Sequence, residues 1–523
     1  MQKTINLKLL PSEAASEDHI RNYLAKAEAV KAESISGYHI LKQSIDARGR
    51  QVWINVSVRA FINEPIQPRE LVEFRFGNVN NSPHRVAIIG AGPAGLFAAL
   101  YLIEKGIKPI VLERGKDVRS RRRDLALLNK KGEVNPESNY CFGEGGAGTY
   151  SDGKLYTRSS KRGDVNRILH LFVHFGAEEK ILYESHPHIG TNKLPGIITA
   201  MRKKILECGG ELLFEKKVVD LVIKNNEITA IKTADGELTG ANAFILATGH
   251  SARDIFQLLH SKNILIESKP FALGVRIEHP QSIIDSSQYH TPLTISRSQY
   301  LPPASYSWVQ QVEGKGVFSF CMCPGGIIAP AATSPGELVV NGWSPSKRNN
   351  PYANSGIVVA INENDLRPFH KNGPLAGMFF QQSVERKAFD AGGGKFVAPA
   401  QRLMDFLGQK TSASLPRCSY VPGVHSVSLE AVLPPFIANS LKYAFKELGK
   451  KMRSYLTNEA VLLATESRTS SPVRIPRDVT GLNHPQIKNL YPCGEGAGYA
   501  GGIVSAAMDG EKVARQLIRV FHP

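Results

Sequence analysis

Glycines in two stretches of the GxGxxG type are the residues whose type and spacing most directly suggest chemistry. One stretch reads GAGPAG at residues 90–95, and the other reads GEGAGYAGG at residues 494–502. Glycines at this spacing let the backbone turn sharply after a strand and approach a pyrophosphate, and the helix that follows offers its free N–H groups to the anion. The chain therefore has either one or two candidate nucleotide sites.

The first stretch has the surroundings that a dinucleotide site needs. Apolar residues before Gly90 predict a strand, residues 93–104 predict a helix, and a second strand ends at Glu113. Gly92 would let the backbone approach the pyrophosphate, and Gly95 would let the helix pack closely on the sheet. A carboxylate at Glu113 can accept both ribose hydroxyls, which suits FAD or NAD and disfavours a 2′-phosphate.

The second stretch is too close to the end of the chain to be an independent site of this kind. A dinucleotide-binding half needs about 30 residues, with a strand and an acid after the helix. Only 22 residues follow Gly501, and they predict one helix over about 503–520. We therefore expect both stretches to serve one site.

Other segments resemble a known family over nearly the whole chain. They are CFGEGGAGTYSDGKLYTR, HPHIGTNKL, ATGHSARD, FALGVRIEHP, CMCPGG, ESRTSSPVRIPRD and GEGAGYAGGIVSAAMDG. Together with GAGPAG and Glu113, they resemble the uncharacterised bacterial FAD-dependent dehydrogenases (NAD/FAD-utilising dehydrogenase-like) of the glutathione-reductase-like FAD superfold. Glu495 departs from the usual Asp of that superfold, whose carboxylate holds the ribityl chain.

The resemblance implies one FAD site whose residues come from both ends of the chain. Backbone N–H groups at Gly501, Gly502 and Ile503 open a helix, so they would stabilise the negative charge that a reduced flavin carries. The glycine cluster at 143–148 is expected to pass beside the flavin and to leave Lys154 near its ring. The candidate cofactor residues are Gly90, Gly92, Pro93, Ala94, Gly95, Glu113, Arg114, Gly145, Gly146, Gly148, Ser151, Asp152, Val218, Val219, Ala247, Thr248, Gly249, Gly494, Glu495, Gly501, Gly502 and Ile503.

Histidines and arginines are the first candidates for chemistry beyond the flavin. His250 follows the ATG segment and His188 lies in PHIG, and either could be an acid or base or a structural histidine. Arg468, Arg474 and Arg477 could clamp a substrate anion, because guanidinium groups match carboxylates and phosphates. Ion-paired or solvated arginines are an equally good interpretation of that segment.

Two cysteines form a further candidate pair. Cys321 and Cys323 lie two apart on a strand-like segment, so we expect them to share a face with Cα atoms about 6.6 Å apart, at the edge of disulfide reach. Two buried core thiols are the favoured interpretation. No cysteines and histidines have the paired spacing of a zinc site, so no metal is predicted.

The pattern of elements predicts a mixed α/β and α+β protein with three domains. Residues 1–82 predict a small N-terminal βαββ domain. Residues 83–270 and 425–523 predict a discontinuous, Rossmann-like FAD-binding domain of the glutathione-reductase-like kind. Residues 271–424 predict an inserted, mainly β substrate domain. A helix near 435–451 has apolar residues on one face, and Lys442, Lys446 and Lys450 form a second face expected to be solvated.

Composition and charge limit the class of protein. The chain has 523 residues, a net charge of +17 and six cysteines without a CxxC pair. The first residues alternate as in a strand, and no apolar run is long enough for a membrane span, so a cytoplasmic protein is predicted. The basic RSRRRD cluster at 119–124 is expected to be a solvated face.

The favoured function is an FAD-dependent oxidoreductase that exchanges a hydride with a small substrate. The sequence does not identify this substrate, and an anion is one class that it leaves open. NADH or NADPH is an alternative transient electron donor. Two other functions stay open: a flavoprotein that modifies tRNA or other RNA, suggested by the net charge of +17, and a flavin-binding protein without turnover. Oligomeric state is not predicted.

Overall fold

A computed structural model describes residues 1–157, 163–452 and 454–521, so Arg158, the last residue of the segment CFGEGGAGTYSDGKLYTR, lies outside the described residues. The N-terminal elements are β1 (Gln2–Leu9), α1 (Pro11–Ala14), α2 (Glu17–Ala27), β2 (Ile35–Asp46) and β3 (Trp53–Ile62). The strands form an antiparallel sheet in the order β1-β3-β2. Ser16 caps α2, because its Oγ accepts the N–H of His19 at 3.3 Å. This region has the predicted βαββ pattern.

The next part of the chain alternates strands and helices. Its elements are β4 (Arg85–Ile89), α3 (Pro93–Glu104), β5 (Lys108–Leu112), α4 (Val118–Lys131), α5 (Val165–His174), α6 (Leu194–Glu207), β6 (Glu211–Leu213), β7 (Val218–Lys224), β8 (Glu227–Thr233), β9 (Leu238–Thr239), β10 (Ala243–Leu246) and α7 (Arg253–Ser261). The helix predicted at 93–104 is confirmed as α3. Strands β7, β8 and β9 form a separate antiparallel sheet.

The remaining elements begin with a long, mainly β region and end in a helix. They are β11 (Glu267–Ser268), β12 (Phe271–Pro280), α8 (Gln281–Tyr289), β13 (Val309–Val312), β14 (Lys315–Cys323), β15 (Ile327–Pro330), β16 (Val340–Trp343), β17 (Tyr352–Ile361), α9 (Ala376–Ala391), β18 (Ala398–Arg402), α10 (Leu403–Leu407), β19 (Val424–Ser426), α11 (Pro435–Lys451), β20 (Val461–Glu466), β21 (Val473–Arg474), β22 (Leu490–Pro492) and α12 (Ile503–Phe521).

A five-stranded parallel sheet has the order β22-β10-β4-β5-β6. It combines four strands that precede the long, mainly β region with one strand, β22, that follows it. Both faces of the sheet are covered by buried apolar residues, as parallel sheets require. Helices α3 and α12 pack closely on each other, and a Cβ added to Gly510 would lie 2.1 Å from the carbonyl oxygen of Ala94. The strand and helix that flank the second glycine stretch thus complete the sheet that the first one begins.

A seven-stranded sheet in the order β13-β14-β17-β12-β20-β18-β19 forms the second large layer. The sequence predicted that the FAD-binding domain resumes at residue 425, and the structure corrects this boundary. Strand β20 pairs antiparallel with both β12 and β18, and the apolar face of α11, with Leu441 and Phe445, is buried in the same core as β12 and β17. Residues 425–466 therefore pack with the mainly β region, because that region supplies the apolar surface that α11 and β20 bury.

Two basic residues that were predicted to be solvated are buried instead. The fully buried guanidinium of Arg121 donates through Nε to the carbonyl of Asn139 at 2.8 Å and through Nη1 to that of Glu144 at 2.9 Å. Lys442 is buried on α11 and forms an ion pair with Glu430. Arginine and lysine are rarely buried unless they are paired, and here both have partners. Lys446 and Lys450 are exposed as predicted.

No helix within residues 1–157, 163–452 and 454–521 is long and apolar enough to cross a bilayer.

Candidate functional site

A cavity of about 1010 Å³ lies where the parallel strands end. Its wall includes Gly90 after β4, Glu113 after β5 and Ala247 after β10, so it opens at the carboxyl edge of the sheet. Ligands of open α/β sheets bind at this edge. The cavity continues to the seven-stranded sheet, where Cys321 of β14 lines it, and to Trp343 of β16. The two large layers of the molecule therefore share one cavity.

Most of the predicted cofactor residues line this cavity. They are Gly90, Gly92, Pro93, Ala94, Glu113, Arg114, Gly146, Gly148, Ser151, Asp152, Val218, Ala247, Thr248, Gly249, Glu495, Gly501, Gly502 and Ile503. They come from segments more than four hundred positions apart in the sequence, from 90 to 503. That these residues contact FAD stays a prediction.

Four predicted cofactor residues do not line the cavity, and each has a structural reason. A Cβ on Gly95 would lie 2.0 Å from the carbonyl oxygen of Gly90, so Gly95 serves the close packing of α3 on β4. Gly145 donates its N–H to the carbonyl of Ala91 at 2.8 Å. Gly494 donates its N–H to Asp509 Oδ2 at 2.8 Å. Val219 is exposed, because side chains alternate along a strand and its neighbour Val218 takes the cavity side.

Glu113 is buried, and three backbone N–H groups hold its carboxylate. Oε2 accepts from Ala91 at 2.9 Å, and Oε1 accepts from Gly115 and from Gly143, both at 2.9 Å. The carboxylate thus ties the first glycine loop to the glycine cluster at 143–148. An ionised carboxylate has about four acceptor positions, so it can still accept from a ribose hydroxyl.

The three glycine-rich segments meet around open space that fits a flavin dinucleotide. Gly146 has φ +61°, and a Cβ on it would lie 3.1 Å from Cα of Gly92. By contrast, a Cβ on Gly501 or Gly502 would meet nothing within 4 Å. The start of α12 therefore faces the cavity, whereas an added side chain at Gly146 would meet the first glycine loop. Such a cradle of backbone N–H groups suits an anionic, planar ligand.

His250 and Glu495, predicted for different roles, lie side by side in the cavity. Nδ1 of His250 is 3.4 Å from Oε1 of Glu495. The chain segments themselves touch, since a Cβ on Gly496 would lie 2.3 Å from the carbonyl oxygen of Gly249. Because Glu495 stands where the resemblance puts the ribityl carboxylate, we expect His250 to orient that carboxylate rather than to act as an acid or base.

Comparison with known proteins identifies the family to which this chain belongs. Residues 84–267 match the family described as pyridine nucleotide-disulphide oxidoreductase, residues 270–469 match FAD-dependent protein, C-terminal domain-like, and residues 1–61 match a domain of unknown function. The chain is 39% identical over 517 residues to an uncharacterised protein of Clostridium beijerinckii, with 95% of each chain covered. The chain belongs to the FAD-dependent oxidoreductases. FAD is therefore its cofactor, as the sequence predicted.

The chain also has more distant likenesses. A thiamine thiazole synthase of Pyrococcus horikoshii is 25% identical over 212 residues, which cover 38% of this chain and 70% of that protein. The structure of 2,6-dihydroxypyridine-3-hydroxylase from Arthrobacter nicotinovorans is 11% identical, covers 84% of each chain and has a TM-score of 0.38. Glycine oxidase from Bacillus cereus is 15% identical, covers 84% of this chain and 95% of that one, and has a TM-score of 0.31.

In this FAD-dependent oxidoreductase Arg468 lines the cavity but is committed to a buried network. Its Nη2 lies 3.1 Å from both Glu337 Oε2 and Glu385 Oε2, and Arg253 pairs with the same two acids at 3.1 and 2.9 Å. Burial alone would lower the pKa of Arg468, but Glu385 outweighs it and raises that pKa above its ordinary value. The positive charges of the two arginines thus balance the negative charges of the two glutamates, and the network joins α7 to α9.

The other two predicted arginines do not line the cavity. Arg477 forms a bidentate pair with Asp509, at 3.0 and 2.6 Å, and stacks 3.8 Å above the ring of Tyr499. Asp509 in turn accepts the N–H of Gly494, so Arg477 fixes the end of β22 against α12. Arg474 is exposed on β21 and does not line the cavity. The ion-paired interpretation of Arg468 and Arg477 is therefore the correct one.

The expectation that Cys321 and Cys323 are two buried thiols is wrong for Cys321. The pairing of β14 with β17 shifts register between Phe320 and Cys323, and Cys321 has φ +44°. At this bulge Cys321 is exposed and Cys323 is buried, and both residues line the cavity. A bulge changes the exposure of neighbouring side chains in a way that period-two alternation cannot reveal.

His188 lies outside the cavity lining. Its Nε2 is 3.1 Å from the carbonyl oxygen of Ser346, and burial, followed by the charge of Arg348, lowers the pKa of His188 to about 4. It is a neutral, structural histidine. Within the described residues, no three His, Cys, Asp or Glu side chains are grouped as metal ligands would be.

Sequence reasoning missed Arg348, which enters the cavity from the loop after β16. Its Nη2 lies 2.7 Å from Asp152 Oδ2. Burial works to raise the pKa of Asp152, but the charges of Arg348 and Lys154 outweigh it, so the pKa lies below its ordinary value. Arg348 and Asp152 are 196 positions apart, and no spacing in the sequence links them. Only the packing of the two layers brings them together.

Proposed function

We propose that this oxidoreductase exchanges two electrons, as a hydride, between one bound FAD and a small organic substrate. The observation that carries the proposal is the continuous cavity, which the glycine-rich ends of the parallel sheet line on one side and β14 and β16 line on the other. Its volume of about 1010 Å³ is at the upper end of the usual range for small-molecule sites, roughly 300–1,000 Å³. A substrate would meet the flavin in the part of the cavity that β14 and β16 line.

The residues of the chain supply binding, orientation and charge stabilisation. FAD, when bound, supplies a hydride acceptor or donor. Glu113 would accept from the ribose, and Glu495 would hold the ribityl chain with His250 beside it. The N–H groups of Gly502 and Ile503, at the positive end of the 19-residue helix α12, would stabilise negative charge that develops next to them. The N–H of Gly501 donates instead to Oγ of Ser505 at 3.1 Å.

A nicotinamide dinucleotide has no domain of its own in this proposal. In the described part of the chain, one parallel sheet carries the glycine loop and the ribose acid, and its five strands are shared between both ends of the chain. NADH or NADPH would therefore bind transiently in the same cavity, in the place that a substrate occupies otherwise.

Anaerobic reduction of the purified holoprotein tests this function. We expect the flavin absorption to bleach on addition of NADH, NADPH or at least one member of a panel of small organic acids, amines and alcohols. Dithionite is the control, because it reduces any competent flavin without using the substrate side. Full bleaching by dithionite, with no bleaching by any other donor, would contradict an oxidoreductase that takes electrons from such compounds.

A further inference from the structure

We infer that the substrate is an organic carboxylate with an apolar body, and that Lys154 binds its carboxylate with help from Arg348. This inference rests on the proposed function and adds the substrate class. It comes from the charges that line the cavity, from how Arg348 is held, and from the side chains around Lys154.

The balance of charges singles out Lys154. Among the residues that the structure describes, six cationic side chains line the cavity: Arg114, Lys154, Lys216, Lys217, Arg348 and Arg468. Arg114 and Lys217 pair with Glu137 and Asp254, and Lys216 pairs with Asp235 and Glu237. Arg348 pairs with Asp152, and Arg468 pairs with two glutamates. In the described ranges, Lys154 has no carboxylate within 4.0 Å, and its ammonium donates to the carbonyl of Met322.

The acids that line the cavity do not neutralise Lys154. Glu113 is held by three backbone N–H groups, and Glu495 lies against His250. Asp152 is engaged by Arg348 through Nη2 at 2.7 Å and Nε at 3.4 Å. The trio of Asp152, Lys154 and Arg348 thus carries two positive charges and one negative charge on buried and half-buried side chains. A half-buried cation favours an anionic ligand.

Arg348 is held in a strained backbone conformation at the cavity wall. Its φ is +48°, a left-handed value that residues other than glycine seldom adopt. Its carbonyl packs against Gly325, where an added Cβ would lie 1.7 Å from that oxygen. Strained residues of this kind persist where the surrounding structure over-determines them, and they cluster at ligand sites. The ion pair with Asp152 holds the guanidinium at the cavity wall.

The body of the substrate would meet an apolar and aromatic wall. The ammonium of Lys154 lies at β14, where Phe320 and Met322 line the cavity, and Trp343 of β16 and Tyr306 line it as well. An ammonium surrounded by such side chains binds a compact anion that is attached to an apolar group better than it binds a hydrated inorganic ion. An organic carboxylate has this combination.

Ligand binding to the holoprotein tests the inference without turnover. Benzoate, phenylacetate and indole-3-acetate are titrated against their matched amides, and binding is followed by perturbation of the flavin spectrum. We expect at least one carboxylate to bind about tenfold or more tightly than its amide, because the amide loses the charge-assisted contact. Lys154→Gln should abolish this preference, and Lys154→Arg should keep most of it. Lys446→Gln, which removes an exposed charge of the same type on α11, should behave as the parent protein.

Three outcomes would overturn the inference. They are the absence of binding by every carboxylate, equal binding of carboxylates and amides, and an unchanged preference in Lys154→Gln. If Lys154→Gln shifted the flavin reduction potential but left the carboxylate preference intact, Lys154 would serve the cofactor instead of a substrate. Failure of the proposed function is separate, because it would show as a flavin that only dithionite reduces, whatever binds beside it.

Discussion

Replacing Glu385 by glutamine is expected to lower the free energy of unfolding by about 3–5 kcal/mol, the usual cost of removing one partner of a buried ion pair. Glu385 is fully buried between Arg253 and Arg468, and the two arginines hold its pKa below the ordinary value although burial works to raise it. Glutamine keeps the shape but leaves two buried guanidinium groups with Glu337 as their acid. Urea unfolding of the parent and the variant measures the difference.

A double-variant cycle shows whether charge balance is the cause. Arg253→Met together with Glu385→Gln removes one charge of each sign, so its cost should fall below the sum of the two single costs. Glu17→Gln is the matched control, since Glu17 forms an exposed i,i+4 pair with Arg21 at 3.2 Å and such pairs contribute little. Strict additivity in the cycle, or an equal loss in Glu17→Gln, would contradict the network described here.

Replacing Glu113 by alanine is expected to weaken FAD binding by about a hundredfold or more. Loss of one charge-assisted hydrogen bond to a ribose would cost about 1.5–3 kcal/mol, and about 1.4 kcal/mol corresponds to a factor of ten. The same change leaves the N–H groups of Ala91, Gly115 and Gly143 without their shared acceptor, so the loops around the cofactor also lose their anchor. Equilibrium titration of the apoprotein with FAD measures the dissociation constant.

Two comparisons separate loss of the ribose contact from loss of the fold. Glu215→Gln changes an exposed acid just beyond β6 and should bind FAD as the parent does. Unfolding of the apoproteins should show how much of the effect of Glu113→Ala comes from the loops alone. If Glu113→Ala kept its flavin through gel filtration with an unchanged dissociation constant, the ribose would lie elsewhere.

Local features of this fold could be predicted from sequence because neighbours in the chain determine them. The strand before Gly90, the helix over 93–104 and the acid at Glu113 follow from apolar periodicity and glycine placement, and all three are observed. The 22 residues after Gly501 are too few for a second dinucleotide-binding half, so the sequence predicted one site for both glycine stretches. In the structure, the strands that precede both stretches belong to one parallel sheet. The helix predicted over about 503–520 is Ile503–Phe521 in the structure.

Features that depend on distant partners could not be predicted in this way. Nothing in the spacing of Arg468 shows whether its guanidinium faces a ligand or two glutamates more than eighty positions earlier. The exposure of Cys321 on β14 depends on a bulge against β17. The domain boundary predicted at 425 was wrong because the apolar face of α11 does not show in the sequence which layer it packs against. In the structure it packs in the same core as β12 and β17.

The ratio of FAD to polypeptide in the purified holoprotein tests most directly whether the two glycine stretches build one site. Flavin released by denaturation is identified by chromatography and quantified by absorbance, and the chain is quantified by amino-acid analysis. A single site lined by both Gly90 and Gly501 predicts one FAD per chain after saturation with FAD, and predicts that Gly92→Val and Gly502→Val each reduce this ratio toward zero. Two dinucleotides per chain, or full FAD content in the Gly502→Val protein, would contradict it.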